Sequence, residues 1–195
     1  MRVAQQDRKT QETDIHVSLD LDGQGRADIQ TGIGFFDHML TLLAKHAQFD
    51  LTIRAEGDLI VDGHHTVEDV GIVLGQAIAR ALGDKRGIKR YGQAIIPMDE
   101  ALLEAVVDLS GRPFLVYQAE HRAPAVGDFD TQLAEEFFRA LAFNAGITLH
   151  LSCRYGKNDH HIIEGLFKAL ARALSEAIHI DPARAGQIPS TKGVL

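Results

Sequence analysis

The spacing of apolar residues along this chain changes several times, and the changes come in a repeating order. In "IHVSLDLD", Ile15, Val17, Leu19 and Leu21 alternate with polar residues, the period of a half-buried strand. The turn-forming "LDGQG" follows, and the Gly-bounded "GRADIQTG" predicts a second strand. Phe35, Phe36, Met39, Leu42 and Leu43 then recur at helical spacing. "FDLTIRAEG" returns to alternation through Phe49, Leu51, Ile53 and Ala55. A helix-period run through Val67, Val70, Leu74, Ala77, Ile78 and Ala81 comes next, opening at His64-His65.

The same order then recurs. "YGQAIIPMDEALLEAVVDLSG" and "PFLVYQAE" predict strands, with Pro97 marking an edge or a bulge. A helix fits "TQLAEEFFRALAFNAG", with Gly146 as its C-cap. "ITLHLSC" alternates again, and His160-His161 opens the last helix. Matching His64 with His160 aligns helix, strand, histidine pair and helix in both halves, with "KRGIKRYG" as connector. The pattern predicts an α/β protein, an α+β two-layer unit used twice by internal duplication. The repeats are expected over residues 1–87 and 88–180, followed by an irregular tail over 181–195.

Composition narrows the possibilities. A chain of 195 residues can bury a core, and its 45% hydrophobic and 24% charged content is ordinary for a globular protein. No apolar run is long enough for a bilayer, and "MRVAQQDRKTQETD" has no apolar signal region. Cys153 stands alone and cannot make an internal disulfide, so a cytoplasmic location is expected. The net charge of -7 argues against nucleic acid and anionic membranes as partners, while leaving room for a local basic pocket. With 10 histidines and one cysteine, metal chemistry would rest on imidazole and carboxylate.

Candidate chemistry centres on His-His-x-x-Glu, which occurs in "DGHHTVEDVG" and again in "NDHHIIEGLF". Residues four apart share a helix face, whereas adjacent ones diverge by about 100°. One histidine of each pair can therefore join its glutamate on one ion while the other points toward a second. A lone His-His pair reads as a surface feature. Its repetition at equivalent places, with the glutamate at the same offset, favours a two-metal centre. Sulfur-free ligation suits zinc, iron, nickel or manganese and leans toward the harder ions. His16 and His150 read as strand histidines, and His46, His121 and His179 as solvent-facing or partly buried. Cys153 reads as core, and Asp99 as either a turn residue or a partner for a ligand histidine. "GIG" is too short for a nucleotide loop.

The segments "RKTQETDI", "TGIGFFDHML", "DGHHTVEDVG", "LSGRP", "GKNDHHIIEGLFKALARAL" and "IPSTKGVL" resemble, in order and spacing, the imidazoleglycerol-phosphate dehydratase family along essentially the whole chain. The resemblance implies a duplicated β-β-β-α-β-α fold, like ribosomal protein S5 domain 2, in a homo-oligomer of 24 subunits. It implies two manganese ions held by His38, His64, His65, Glu68, His160, His161 and Glu164. Aligning the halves sets Glu136 opposite His38, where many family members have histidine, and makes Glu136 a candidate ligand. The implied reaction removes water from the imidazole phosphate substrate through a metal-bound imidazolate and a diazafulvene, in histidine biosynthesis. Glu12 is the implied acid–base and contacts the carbinol end of the substrate, and Arg90, Arg112, Ser190 and Lys192 are the further implied substrate contacts, the last two on a tail able to close over substrate. On the residues alone a di-metal hydrolase of a small phosphorylated substrate stays open, as does a metal-stabilised assembly protein.

Overall fold

The computed structural model describes residues 2–184, 186–193 and 195. In the first half, β1 (Val3–Lys9), β2 (Thr13–Asp20), β3 (Ala27–Gln30), α1 (Gly34–Ala47), β4 (Asp50–Gly57) and α2 (His64–Leu82) follow one another. The second half gives β5 (Tyr91–Met98), β6 (Ala101–Asp108), β7 (Phe114–Gln118), the short β8 (Ala125–Val126) and β9 (Phe129–Asp130), α3 (Gln132–Ala145), β10 (Thr148–Tyr155) and α4 (Asp159–Ala177). The sheet orders β1-β2-β4-β3 and β5-β6-β10-β7 are the same plan twice. In each, the third strand runs parallel to the fourth and the other pairings are antiparallel.

The predicted periods explain most of this. Ile15, Val17 and Leu19 of β2 are fully buried, as are Leu149 and Leu151 of β10. Gln48 and Gly146 close α1 and α3 in the left-handed region, φ 62° and 64°. Pro97 lies on β5, an edge strand, where its missing N–H costs no ladder bond. Cys153 is partly buried and packs against the core rather than within it, just ahead of a register shift in β10. The periods did not reveal β1, whose edge position buries only Ala4, nor the two-residue strands β8 and β9.

Each sheet carries two helices on one face. The halves then pack helix against helix, α2 on α3 and α1 on α4, so the core lies in the middle with a sheet on either side. A Cβ added at Gly71 would come within 2.8 Å of the Ala140 Cβ, and one at Gly75 within 2.7 Å of the Leu141 carbonyl oxygen. These glycines let α2 and α3 approach closely. Contacts along the pairs, Gly63 with Leu133 and Gly75 with Asn144, show that α2 and α3 run in the same direction. Phe35 meets both Phe129 and His160, with ring centroids at 5.3 and 5.2 Å, and Ile33 touches Gly63. All four helices therefore begin at the same end of the molecule. None of the described helices is long and apolar enough to cross a membrane.

Candidate active site

The shared helix end collects most of the candidate residues. On α4, Asn158 caps the helix, accepting from the backbone N–H groups of His160 and His161 at 3.0 and 3.4 Å. One turn later Glu164 is buried. Its Oε2 lies 3.0 Å from His160 Nε2 and 3.6 Å from His38 Nε2 of α1, and Lys168 donates to Oε1 at 2.6 Å. Burial pushes the Glu164 carboxyl up, but hydrogen bonds from Lys168 and His160 outweigh it and leave it below the usual carboxylate range. Donors from both repeats thus meet, since His38 belongs to the first half and Glu164 to the second.

The related arrangement on α2 is looser. His64 Nε2 and Glu68 Oε2 stand 3.9 Å apart, and the His64 backbone N–H is held by Asp62 at 2.7 Å. Glu136, one turn into α3, pairs at 3.7 Å with Arg139. A cavity of about 370 Å³ opens between the starts of α2 and α3, lined by Ile33, Leu59, Asp62, Gly63, His64 and Leu133.

The second histidine of each pair turns away from the first, as the helical geometry requires. Ring planes of His64 and His65 differ by 88°, and those of His160 and His161 by 80°. His65 donates from Nδ1 to both Asp58 oxygens, at 3.1 and 3.0 Å. His161 donates from Nδ1 to Glu100 at 2.7 Å. These hydrogen bonds raise the pKa of both imidazoles, and the one from His161 helps hold the Glu100 carboxyl down at about 2. Asp99 lies farther off, 3.7 Å from His161 Nε2. Glu12 is brought to this end as well, its Oε2 at 3.8 Å from His65 Nδ1. Buried Asp69 of α2 fixes that placement, binding Arg8 at 2.7 Å and also Thr13, the residues that flank the β1–β2 turn. Asp58, Glu100, Asp69 and Lys168 were not found by sequence reasoning; the one available signal was that Glu100 precedes β6 as Glu12 precedes β2.

The expected phosphate contacts assemble elsewhere. Arg90, itself at φ 75°, donates to Asp108 at 2.7 and 3.2 Å and to the Pro189 carbonyl at 2.9 Å. Arg112 reaches the same carboxylate at 3.8 Å, and the Ser190 hydroxyl accepts from the Lys192 backbone N–H at 3.1 Å. The backbone N–H of Arg90 bonds the carbonyl of Ala177, the last residue of α4. His160 and His161 begin that helix. A helix of 19 residues puts the two groups about 25 Å apart, at opposite ends of α4. Within one chain, then, the structure does not bring Arg90, Arg112, Ser190 and Lys192 to the histidines.

The donor set is imidazole and carboxylate without sulfur, which fits divalent ions of the manganese or zinc type. Among the described residues no group of three or more His, Cys, Asp or Glu is placed to hold a metal ion. The family pattern described as imidazoleglycerol-phosphate dehydratase matches residues 31–174, a span that holds both histidine pairs. The chain belongs to the imidazoleglycerol-phosphate dehydratase family. It is 63% identical over 193 residues to the dehydratase of an Exiguobacterium species, covering 99% of this chain and 98% of that one. It is 64% identical to the dehydratase of Symbiobacterium thermophilum, over 100% of this chain and 93% of the relative. The crystal structure of the Staphylococcus aureus dehydratase matches with a TM-score of 0.84 at 44% identity, covering 92% of this chain and 99% of that chain. The Pyrococcus furiosus structure, in complex with (S)-C348, matches at 0.83 and 37%, over 97% and 99%. The enzyme is a lyase of histidine biosynthesis that dehydrates imidazoleglycerol phosphate.

Proposed function

We propose that the dehydratase works with two divalent ions, manganese foremost, held by His38, His64, His65, Glu68, Glu136, His160, His161 and Glu164, in a site that neighbouring copies complete. The observation that carries this reading is the convergence of four helix starts, which places both His–Glu pairs, His38 and Glu12 at one end. When bound, such ions supply Lewis acidity to the substrate imidazole, easing loss of its ring proton and departure of the neighbouring hydroxyl. Glu12, exposed beside His65, is the group placed to move the proton of the carbinol carbon. Arg90 and Arg112, both oriented by Asp108, hold the phosphate with Ser190 and Lys192.

The three-carbon chain that links imidazole to phosphate does not span about 25 Å along α4, so on this reading the phosphate is held by another copy than the one holding the imidazole. Exposed apolar surface supports such contacts: Leu59, Ile60 and Val61 just before His64, and Ile95, Val106 and Phe114 elsewhere on the second sheet. We place the assembly at 24 copies and the enzyme in the cytoplasm. The test is a mixture of purified manganese-loaded protein and imidazoleglycerol phosphate. Formation of the enolisable ketone, abolished by chelation and restored by metal, is expected. Turnover indifferent to chelation would remove the ions from the reaction, and release of inorganic phosphate would make the chain a hydrolase.

A further inference from the structure

The two halves use the glutamate at the same repeat position differently. Glu12 directly precedes β2 and Glu100 directly precedes β6, and each faces Nδ1 of the second histidine in its half. Glu100 is fully engaged. Its Oε2 accepts from His161 Nδ1 at 2.7 Å, and its Oε1 accepts from the backbone N–H groups of Lys157 and Asn158 at 3.0 and 2.7 Å. Glu12 stands 3.8 Å from His65 Nδ1, beyond hydrogen-bond reach. That nitrogen is bonded instead to Asp58, from the connection between β4 and α2. This connection covers residues 58–63, whereas its counterpart between β10 and α4 covers only 156–158 and has no carboxylate in its Gly-Lys-Asn sequence.

We propose that Asp58 and Glu100 are positioning residues that hold His65 and His161 as Nδ1–H tautomers with Nε2 presented outward, and that Asp58, by taking this task in the first half, frees Glu12 for proton transfer. The proposal rests on the two-ion reading above. A neutral imidazole has one N–H and one lone pair, so a carboxylate that accepts from Nδ1 makes Nε2 the ligating atom. The same carboxylate fixes the ring plane, and loss of such a partner commonly weakens metal affinity by about 10–100-fold. The longer β4–α2 connection supplies a second carboxylate in the first half only.

The experiment is manganese binding to the purified full-length chain, read from the electron paramagnetic resonance signal of the free aquo ion. Asp58→Ala and Glu100→Ala are expected to weaken binding about 10–100-fold. Glu100→Gln, whose amide oxygen still accepts from Nδ1, should lose less, and Glu12→Ala should bind as the wild type does. In a His161→Ala background, Glu100→Ala should cause no further loss, because the ring it positions is gone. The thermal midpoint without metal separates these effects from unfolding, and should Glu100→Ala fold poorly, Glu100→Gln and Asp58→Ala carry the comparison. Wild-type affinity in folded Asp58→Ala and Glu100→Ala, or an undiminished loss in the His161→Ala background, overturns the positioning role. Weakened binding in Glu12→Ala overturns its release from that role. A wild-type chain that takes up no manganese overturns the two-ion reading instead.

Discussion

A carboxylate that must exchange protons has to be reachable and uncommitted. Glu12 meets both conditions, being exposed and 3.8 Å from its nearest ion-pair partner. Glu12→Gln should keep metal and substrate binding while turnover falls about 10²–10⁴-fold, measured as kcat with the Michaelis constant near the wild-type value. Undiminished kcat would take Glu12 out of the reaction. A different carboxylate reports on stability. Asp50 accepts from the side chain of Arg26 and from the backbone N–H groups of Gln24 and Arg26, and these bonds hold its carboxyl far below the usual range. A folded-state pKa below the unfolded one gives stability that is complete above the unfolded value and lost as acid protonates the group. Asp50→Asn should therefore unfold more easily than wild type at pH 7, with the gap closing progressively below about pH 4. A gap independent of pH in denaturant titrations would refute that assignment.

At the level of elements, the close approach of α2 and α3 depends on side chains that are missing. A methyl group at Gly75 would meet the Leu141 carbonyl oxygen at 2.7 Å and the Ala145 nitrogen at 3.0 Å, backbone atoms that no rotamer change moves. Gly75→Ala gains up to about 1 kcal/mol of helix propensity but incurs overpacking of about 1–3 kcal/mol. A lower midpoint in chemical denaturation is expected, and a raised one would show that the helices can part without penalty. The helices and inner strands were legible in the sequence because each buries one face, and burial writes a period. β1 buries only Ala4 and writes none. The histidine pairs were legible because duplication repeats their spacing. Asp58, Glu100 and Asp69 were not, because a hydrogen-bond acceptor needs only to arrive within 3 Å of its donor and leaves no pattern along the chain. Gly71 and Gly75 read in sequence as interruptions of a helix, and only the packing partner gives them meaning.

At the scale of the whole molecule, the two ends of α4 carry different candidate residues. Its start holds His160 and His161, and its last residue accepts a hydrogen bond from Arg90. Nothing in the sequence gives this separation, since motifs adjacent in a family pattern carry no distance. Co-expression of Glu12→Gln with Arg90→Ala should restore turnover that neither variant has alone, because mixed assemblies contain sites with an intact Glu12 from one copy and an intact Arg90 from another. Absence of complementation in verified mixed assemblies would place both groups in one subunit.

On the proposed function, Arg90, fastened to the far tip of α4, leaves every polypeptide with two half-pockets that only neighbouring copies complete. Dilution should then extinguish catalysis before it unfolds anything, the specific activity falling as subunits separate while the circular dichroism of each stays native. Constant specific activity through dissociation would mean that a solitary polypeptide suffices.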